Sequence, residues 1–211
     1  MKKVTAPPVR SASTRSKGAT KTSCMGTRLR RRFFERPAVQ VARGLLGKCI
    51  VRRYRHRLIT SIITETEAYA GPMDRASRAF GGRRTKGVRA LYSRGGVVYV
   101  YLVYGIHWLL NFKAAGPNQP QAVLIRAITT GAGSDLKSIA GPGKTSRYLK
   151  VDRSLYGEDV TTSNKIWIED IGVRIDSRLV TKSPRVGIDY AGPYWRSKPW
   201  RFRINIGTSA G

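Results

Sequence analysis

The chain has 211 residues, room for one domain with a sizeable core. Lysine and arginine number 40 against 12 aspartates and glutamates, a net charge of +28, yet 41% of residues are apolar and only 25% charged, which excludes a disordered polyelectrolyte over most of the length. No run of 18 apolar residues and no hydrophobic signal-peptide core near the start is present, and Cys24 and Cys49 are a single pair, which excludes a membrane-spanning helix, a disulfide scaffold and a thiolate zinc site. With only His56 and His107, histidine-based chemistry has few candidates. So high a charge on a folded domain points to a polyanion, because each neutralised phosphate releases condensed counterions. Composition alone does not choose between DNA, RNA and an anionic membrane.

Residues 1–32 hold 10 basic and no acidic side chains, lack apolar periodicity and are rich in Ser and Thr. They are expected to form a basic arm ending in Arg28, Arg30, Arg31 and Arg32, with the composition of a solvated tail, a transit peptide or a nuclear address. The folded domain then spans 33–211 and retains +18. Pro37 to Leu46 predicts a short helix with Ala38, Val41, Ala42, Leu45 and Leu46 on its apolar face and Gly47 as the stop. Lys48–Tyr54 and Leu58–Thr66 are β-branched runs that should pair antiparallel. Val97–Tyr104, Ile106–Phe112 and Ala122–Thr129 predict three more strands, helical character returns at 145–149, and 186–188 and 201–206 look like closing strands. The sum is a mixed α+β fold, a single compact domain around a curved, largely antiparallel sheet with short peripheral helices.

Between Asp74 and Asp135 there is no acidic residue, while Arg75, Arg78, Arg83, Arg84, Lys86, Arg89, Arg94, Lys113 and Arg126 all lie there. A one-signed stretch of sixty residues in a folded segment is suited to facing an anion. Glu65 and Glu67 sit at its border. Period-two alternation places them with Tyr69 on one face of their strand, together with Ile59 and Ile63. Either the strand end emerges into water there, or a carboxylate kept ionised by arginines serves as a general base. Tyr99 and Tyr101 share one strand face and Tyr104 takes the other, an ordinary core pattern that is also suited to stacking on a base. Arg126 lies within an apolar run and needs an acid or a structured partner, with Glu67 or Glu65 the candidate acids and a purely structural ion pair the plain alternative. Asn111 likewise sits in an apolar strand and must be satisfied.

These residues converge on a resemblance. Glu65-Thr-Glu67-Ala-Tyr69-Ala-Gly71-Pro72, Val98-Tyr99-Val-Tyr101-Leu-Val-Tyr104-Gly105 with Asn111, Val123-Leu-Ile-Arg126-Ala127, Gly141-Pro-Gly143-Lys144, Pro184-Arg185-Val-Gly187-Ile188 and Lys198-Pro-Trp200-Arg-Phe202 resemble, in order, the alkyladenine (3-methyladenine) DNA glycosylase family over about residues 33–206. The resemblance implies a monofunctional enzyme of base excision repair that binds the minor groove, flips a damaged (alkylated or deaminated) purine out of duplex DNA and hydrolyses its glycosidic bond, leaving an abasic site. It implies Glu67 as the general base for a water, Arg126 as a residue that helps hold that water, Tyr69 and Tyr101 as walls of the base pocket, and Asn111 as the obstruction to the guanine amino group. Tyr104 matches the side chain that fills the gap in the duplex. Arg83, Arg84, Thr85 and Lys144 fall at positions implied to contact the DNA backbone.

No metal or cofactor is implied, the partner is double-stranded DNA containing damaged purines, and a monomer without membrane attachment is expected. A bacterial chain would act in the cytoplasm at the nucleoid and a eukaryotic one in the nucleus. Arg78 departs from the pattern by standing where the family usually has a pocket histidine, and Gly87 stands where it often has an arginine. Arginine is permanently charged and cannot accept a hydrogen bond. Two alternatives therefore stand beside the enzyme: a catalytically weak paralogue that binds lesions without excision, and a basic RNA-binding protein.

Overall fold

The computed structural model describes residues 26–131 and 135–204. Along the chain lie β1 (Thr27–Arg28), α1 (Arg31–Phe34), α2 (Ala38–Leu45), β2 (Cys49–Tyr54), β3 (Arg57–Tyr69), β4 (Val98–Val103), β5 (His107–Ala114), β6 (Gln121–Thr130), β7 (Lys137–Ala140), α3 (Pro142–Tyr148), β8 (Ile166–Asp170), β9 (Val180–Ser183), α4 (Pro193–Ser197) and β10 (Arg201–Ile204). Short 3-10 turns intervene, the longest being Lys86–Tyr92. The strands form one antiparallel sheet in the order β1-β8-β2-β3-β6-β5-β4, curled into a half-barrel, which bears out the expected mixed fold. Among the described residues no helix is long and apolar enough to cross a membrane.

β3 is the spine of this sheet. Its first half pairs with β2 and its second half with β6, and beyond the end of β2 the vacated edge is taken by β10 through Arg201, Phe202 and Arg203. β7 adds to β6, and β9 adds to β10. Helix α2 lies against β3 and β6 because Ala38, Val41, Ala42 and Leu45 recur at helical spacing and are all buried. Its first free N–H is capped by the Gln121 side chain at 2.8 Å, and Gly47, at φ 77°, lets the chain turn back into the sheet. α3 covers β5 and β6 beside it. On the other face, Val88, Ala90 and Leu91 of the 3-10 segment pack with Tyr99 and Ala122 in a smaller cluster.

Three expectations are corrected. Ile59 and Ile63 do not share a face with Glu65 and Glu67. Ile63 is in the core with Ala68, Ile59 packs against that core, and the Thr66 hydroxyl donates to the Ala42 carbonyl at 2.9 Å. The pairing explains this. Ile63 opposes Ile128, Glu65 opposes Ala127 and Thr66 opposes Ile125, so Thr64 is an extra residue on β3 and Arg126 an extra residue on β6. The two offset bulges restore register but flip the alternation, turning Glu65 and Glu67 away from the helices. Secondly, 186–188 is a bend and not a strand, because Pro184 ends β9 and Gly187 is held at φ 72°. Thirdly, residues 26–32 of the expected arm join the fold: β1 pairs with β8, and Arg31 forms an ion pair with Asp159. The rest of the arm lies outside the described residues.

Lys113 shows how the sheet margin is closed. Its side chain is fully buried, and Nζ donates to the carbonyl oxygens of Ala114, Ala115 (2.9 Å) and Gly116 (3.0 Å), with Ala115 turned to φ 68°. Burial pushes the amine down to about 8. Lys113→Met keeps the stem but strands three buried carbonyls. It should lower unfolding free energy by roughly 2–4 kcal/mol in urea titrations at neutral pH.

Candidate active site

The site grows out of the register of four adjacent strands. Glu67 on β3 pairs with Leu124 on β6, Leu124 with Asn111 on β5, and Asn111 with Tyr99 on β4. Acid, amide and phenol thus stand in one row across the sheet. Tyr69 lies two residues beyond Glu67 and Tyr101 two beyond Tyr99, so the two rings flank it.

Glu67 is fully buried, which rules out a strand end emerging into water. Its Oε1 accepts the Val186 backbone N–H at 2.9 Å and lies 3.4 Å from the Arg126 guanidinium, while its Oε2 accepts the Tyr69 hydroxyl at 2.9 Å. Burial dominates and raises its pKa, opposed by Arg126, the Val186 N–H and the Tyr69 hydroxyl. The result is a carboxylate with a raised proton affinity, oriented by two hydrogen-bond donors and one guanidinium. Burial also pushes the Tyr69 phenol well above its ordinary value and that of Tyr101 up to about 12. Both are neutral near pH 7, which leaves Tyr69 its proton to donate.

Arg126 reaches both carboxylates that the sequence offered, with Nε 3.3 Å from Glu65 as well. Arg201 on β10 donates to the same Glu65 oxygen at 2.5 Å. A second layer fixes Tyr69. Arg185 and Asp74, both fully buried, form a two-pronged pair at 2.5 and 2.9 Å. Asp74 also accepts the N–H groups of Ala70 and Ala76 at 3.0 Å, and Arg185 donates to the Ala68 carbonyl at 3.0 Å. The Arg185 guanidinium is held between the rings of Tyr69 (4.8 Å) and Trp200 (5.1 Å). Neither role was assigned from sequence. Arg185 stood in a motif of the resemblance, and the scarcity of acids was the only signal marking Asp74. Val186 acts through its backbone and leaves no side-chain signature.

The remaining candidates fall at three depths. Asn111 is buried, its Nδ2 donating to the carbonyls of Tyr99 and Leu109 at 3.3 and 3.2 Å. Tyr101 is partly buried against Tyr99, ring centroids 5.4 Å apart, and the Arg78 guanidinium lies 4.6 Å from the Tyr101 ring centre. Tyr104 is not on a strand face as expected but in the β4–β5 turn, 90% exposed, with Ile106 exposed beside it. Arg83, Arg84, Thr85 and Lys144 are all exposed, and Arg84 rests on the Tyr92 ring at 3.9 Å. They lie on the surface, outside the buried acid cluster.

A profile of the family described as Methylpurine-DNA glycosylase (MPG) matches residues 32–207. The chain belongs to that family. Among its relatives, a protein from Psychrobacter cryohalolentis is 40% identical over 192 residues, covering 81% of this chain and 88% of the relative. One from Borrelia garinii subsp. bavariensis is 39% identical (82% and 94% covered) and one from Natranaerobius thermophilus 37% identical (82% and 92% covered). Each carries the provisional name 3-methyladenine DNA glycosylase. In this member of the methylpurine-DNA glycosylases, the buried Asp74–Arg185 pair is the support on which the Tyr69 ring rests. Asp74→Ala, which leaves a buried guanidinium without its acid, should cost about 3–5 kcal/mol of unfolding free energy in urea. Glu67→Gln should cost less, since Arg126 retains Glu65.

Proposed function

We propose that the protein is a DNA glycosylase that flips a damaged purine, alkylated or deaminated, out of duplex DNA and hydrolyses its glycosidic bond with a water activated by Glu67. The observation that carries this is the buried Glu67 carboxylate, oriented by Tyr69, Val186 and Arg126 and lying beside two neutral tyrosine rings. A general base works best with a pKa near the working pH, and burial moves Glu67 in that direction. In the step itself, the water oxygen bonds to the sugar C1′ as Glu67 takes the proton. The C1′–N9 bond breaks and its electron pair leaves with the purine. Water as nucleophile leaves an abasic site in an unbroken strand, the expected start of base excision repair. Asn111, its amide tied to backbone carbonyls, is suited to obstructing the exocyclic amino group of guanine.

The turn supports the flipping step. Tyr104 and Gly105 have φ 52° and 71°, and the Ile106 N–H reaches the Val103 carbonyl at 3.2 Å, the geometry of a type I′ turn. Asparagine or glycine is the usual first central residue, and a tyrosine in the left-handed region costs about 1 kcal/mol or more. A strained, exposed aromatic at the tip of a hairpin is suited to replacing an extruded base in the stack. Lys144, next to the Gly143 that packs on His107 near the turn, and Arg83, Arg84 and Thr85, which lie toward Asn118 beyond the other end of β5, are suited to contacting phosphates of double-stranded DNA.

Two experiments test this. Glu67→Gln should lower single-turnover release of hypoxanthine or 3-methyladenine from duplex oligonucleotides by roughly 10²–10⁴-fold while keeping affinity for an abasic-site mimic, and release at the native rate would overturn the mechanism. In the native protein the rate should fall on acidification, with a midpoint above the ordinary carboxylate value, because protonated Glu67 no longer accepts a proton. Tyr104→Asn should raise unfolding free energy by about 1 kcal/mol and yet weaken binding to lesion-bearing duplex. Unchanged binding would remove the side chain from the flipping step. Native protein that binds the abasic mimic without releasing any base would favour the weak paralogue.

A further inference from the structure

Arg78 occupies a peculiar position. Its guanidinium lies over the Tyr101 ring, and it opposes the upward shift of the phenols of both Tyr99 and Tyr101. Among the described residues, no carboxylate lies within ion-pair distance of it. The cations deeper in the site are matched instead: Arg126 and Arg201 by Glu65 and Glu67, Arg185 by Asp74. The Tyr101 ring therefore carries beside it a permanent positive charge, exposed at the surface, that has no ion-pair partner among the described residues. A purine brought against Tyr101 meets that guanidinium or must displace it from the ring.

We propose that Arg78 sets the charge class of the substrate, favouring neutral purine lesions over N-alkylated purines that carry a positive charge. The proposal rests on the glycosylase reading above. A cationic base is repelled on entry and remains partly positive in the transition state. A neutral base enters without repulsion. As its C1′–N9 bond breaks, the electron pair moves onto the ring, and the purine departs as an anion that afterwards takes a proton from water. Arg78 is placed to stabilise that developing negative charge. At charge separations of a few ångströms in a partly desolvated site, the discrimination should amount to roughly tenfold to hundredfold.

Arg78→Gln removes the charge and keeps a planar polar group. The test compares native and variant protein on duplexes carrying hypoxanthine, a neutral base, or 7-methylguanine, a cationic one, by second-order rate constants under single-turnover conditions. The ratio of the two rates, compared between the proteins, cancels intrinsic differences between the lesions. It should shift toward 7-methylguanine by about tenfold or more. The shift should also split: tighter binding of the cationic base, slower chemistry on the neutral one. A purely structural role for Arg78 would move both lesions together, so a ratio constant within about twofold overturns the proposal. The same comparison is made by affinity on duplexes whose sugar carries an arabino 2′-fluorine that keeps either base attached. If native protein releases neither base, the glycosylase reading falls. The variant must still tighten the cationic duplex relative to the neutral one, or the charge-class proposal falls as well.

Discussion

The structure depends on the paired bulges at Thr64 and Arg126. In an uninterrupted β3, the residues that follow Ile63 on the core face would be Glu65 and Glu67, and two carboxylates would be driven beneath α2. The extra residue at Thr64 sends Thr66 and Ala68 to the helix instead and gives the acids the opposite face. The compensating residue on β6 is Arg126 itself, so the distortion that exposes the acids to the site also delivers the cation that neutralises them. Bulges of this kind re-aim side chains at functional positions. Here one pair of irregularities sets both the packing of the core and the charge state of the site.

Electrostatic matching follows from that placement. In a chain with 40 basic and 12 acidic residues, a buried carboxylate spent on a random ion pair would be a poor use of a scarce group. Glu65, Glu67 and Asp74 are instead set against Arg126, Arg185 and Arg201 within a few side chains of each other. Arg126 also reaches a second acid, and Arg185 a backbone carbonyl and two aromatic rings, which offsets the cost of desolvation. The loop after β9 belongs to this arrangement. Its backbone gives Glu67 a hydrogen bond from Val186, and Arg185 braces Tyr69, so this loop orients the buried carboxylate through a main-chain N–H.

What the sequence made legible was local. α2, the β2–β3 hairpin and the β4, β5 and β6 runs follow from periodicity and punctuation, each within a few residues of its observed limits. The isolated arginine in Val123-Leu-Ile-Arg126 announced its need for an acid, and both candidate acids proved to be partners. The rest was hidden for physical reasons. A bulge has no composition of its own, so nothing showed that alternation fails at Thr64. Ile166–Asp170 is a strand because β2 offers it an edge, a tertiary effect. Val186 works through a main-chain N–H. Asp74 and Arg185 are 111 residues apart in the chain and become a pair only when the sheet curls.

The same distinction bears on the net charge. A charge of +28 says little about the site, where Glu65, Glu67 and Asp74 are matched by Arg126, Arg201 and Arg185. Cations at the surface act on any phosphate within a Debye length and carry no information about a base. Discrimination between bases needs charges that a single base meets at contact distance. Arg78 stands at that boundary, exposed like Arg83 and Arg84 yet resting on the Tyr101 ring. One side chain of the excess surface charge thereby reaches the ring that borders the buried acids and their arginines.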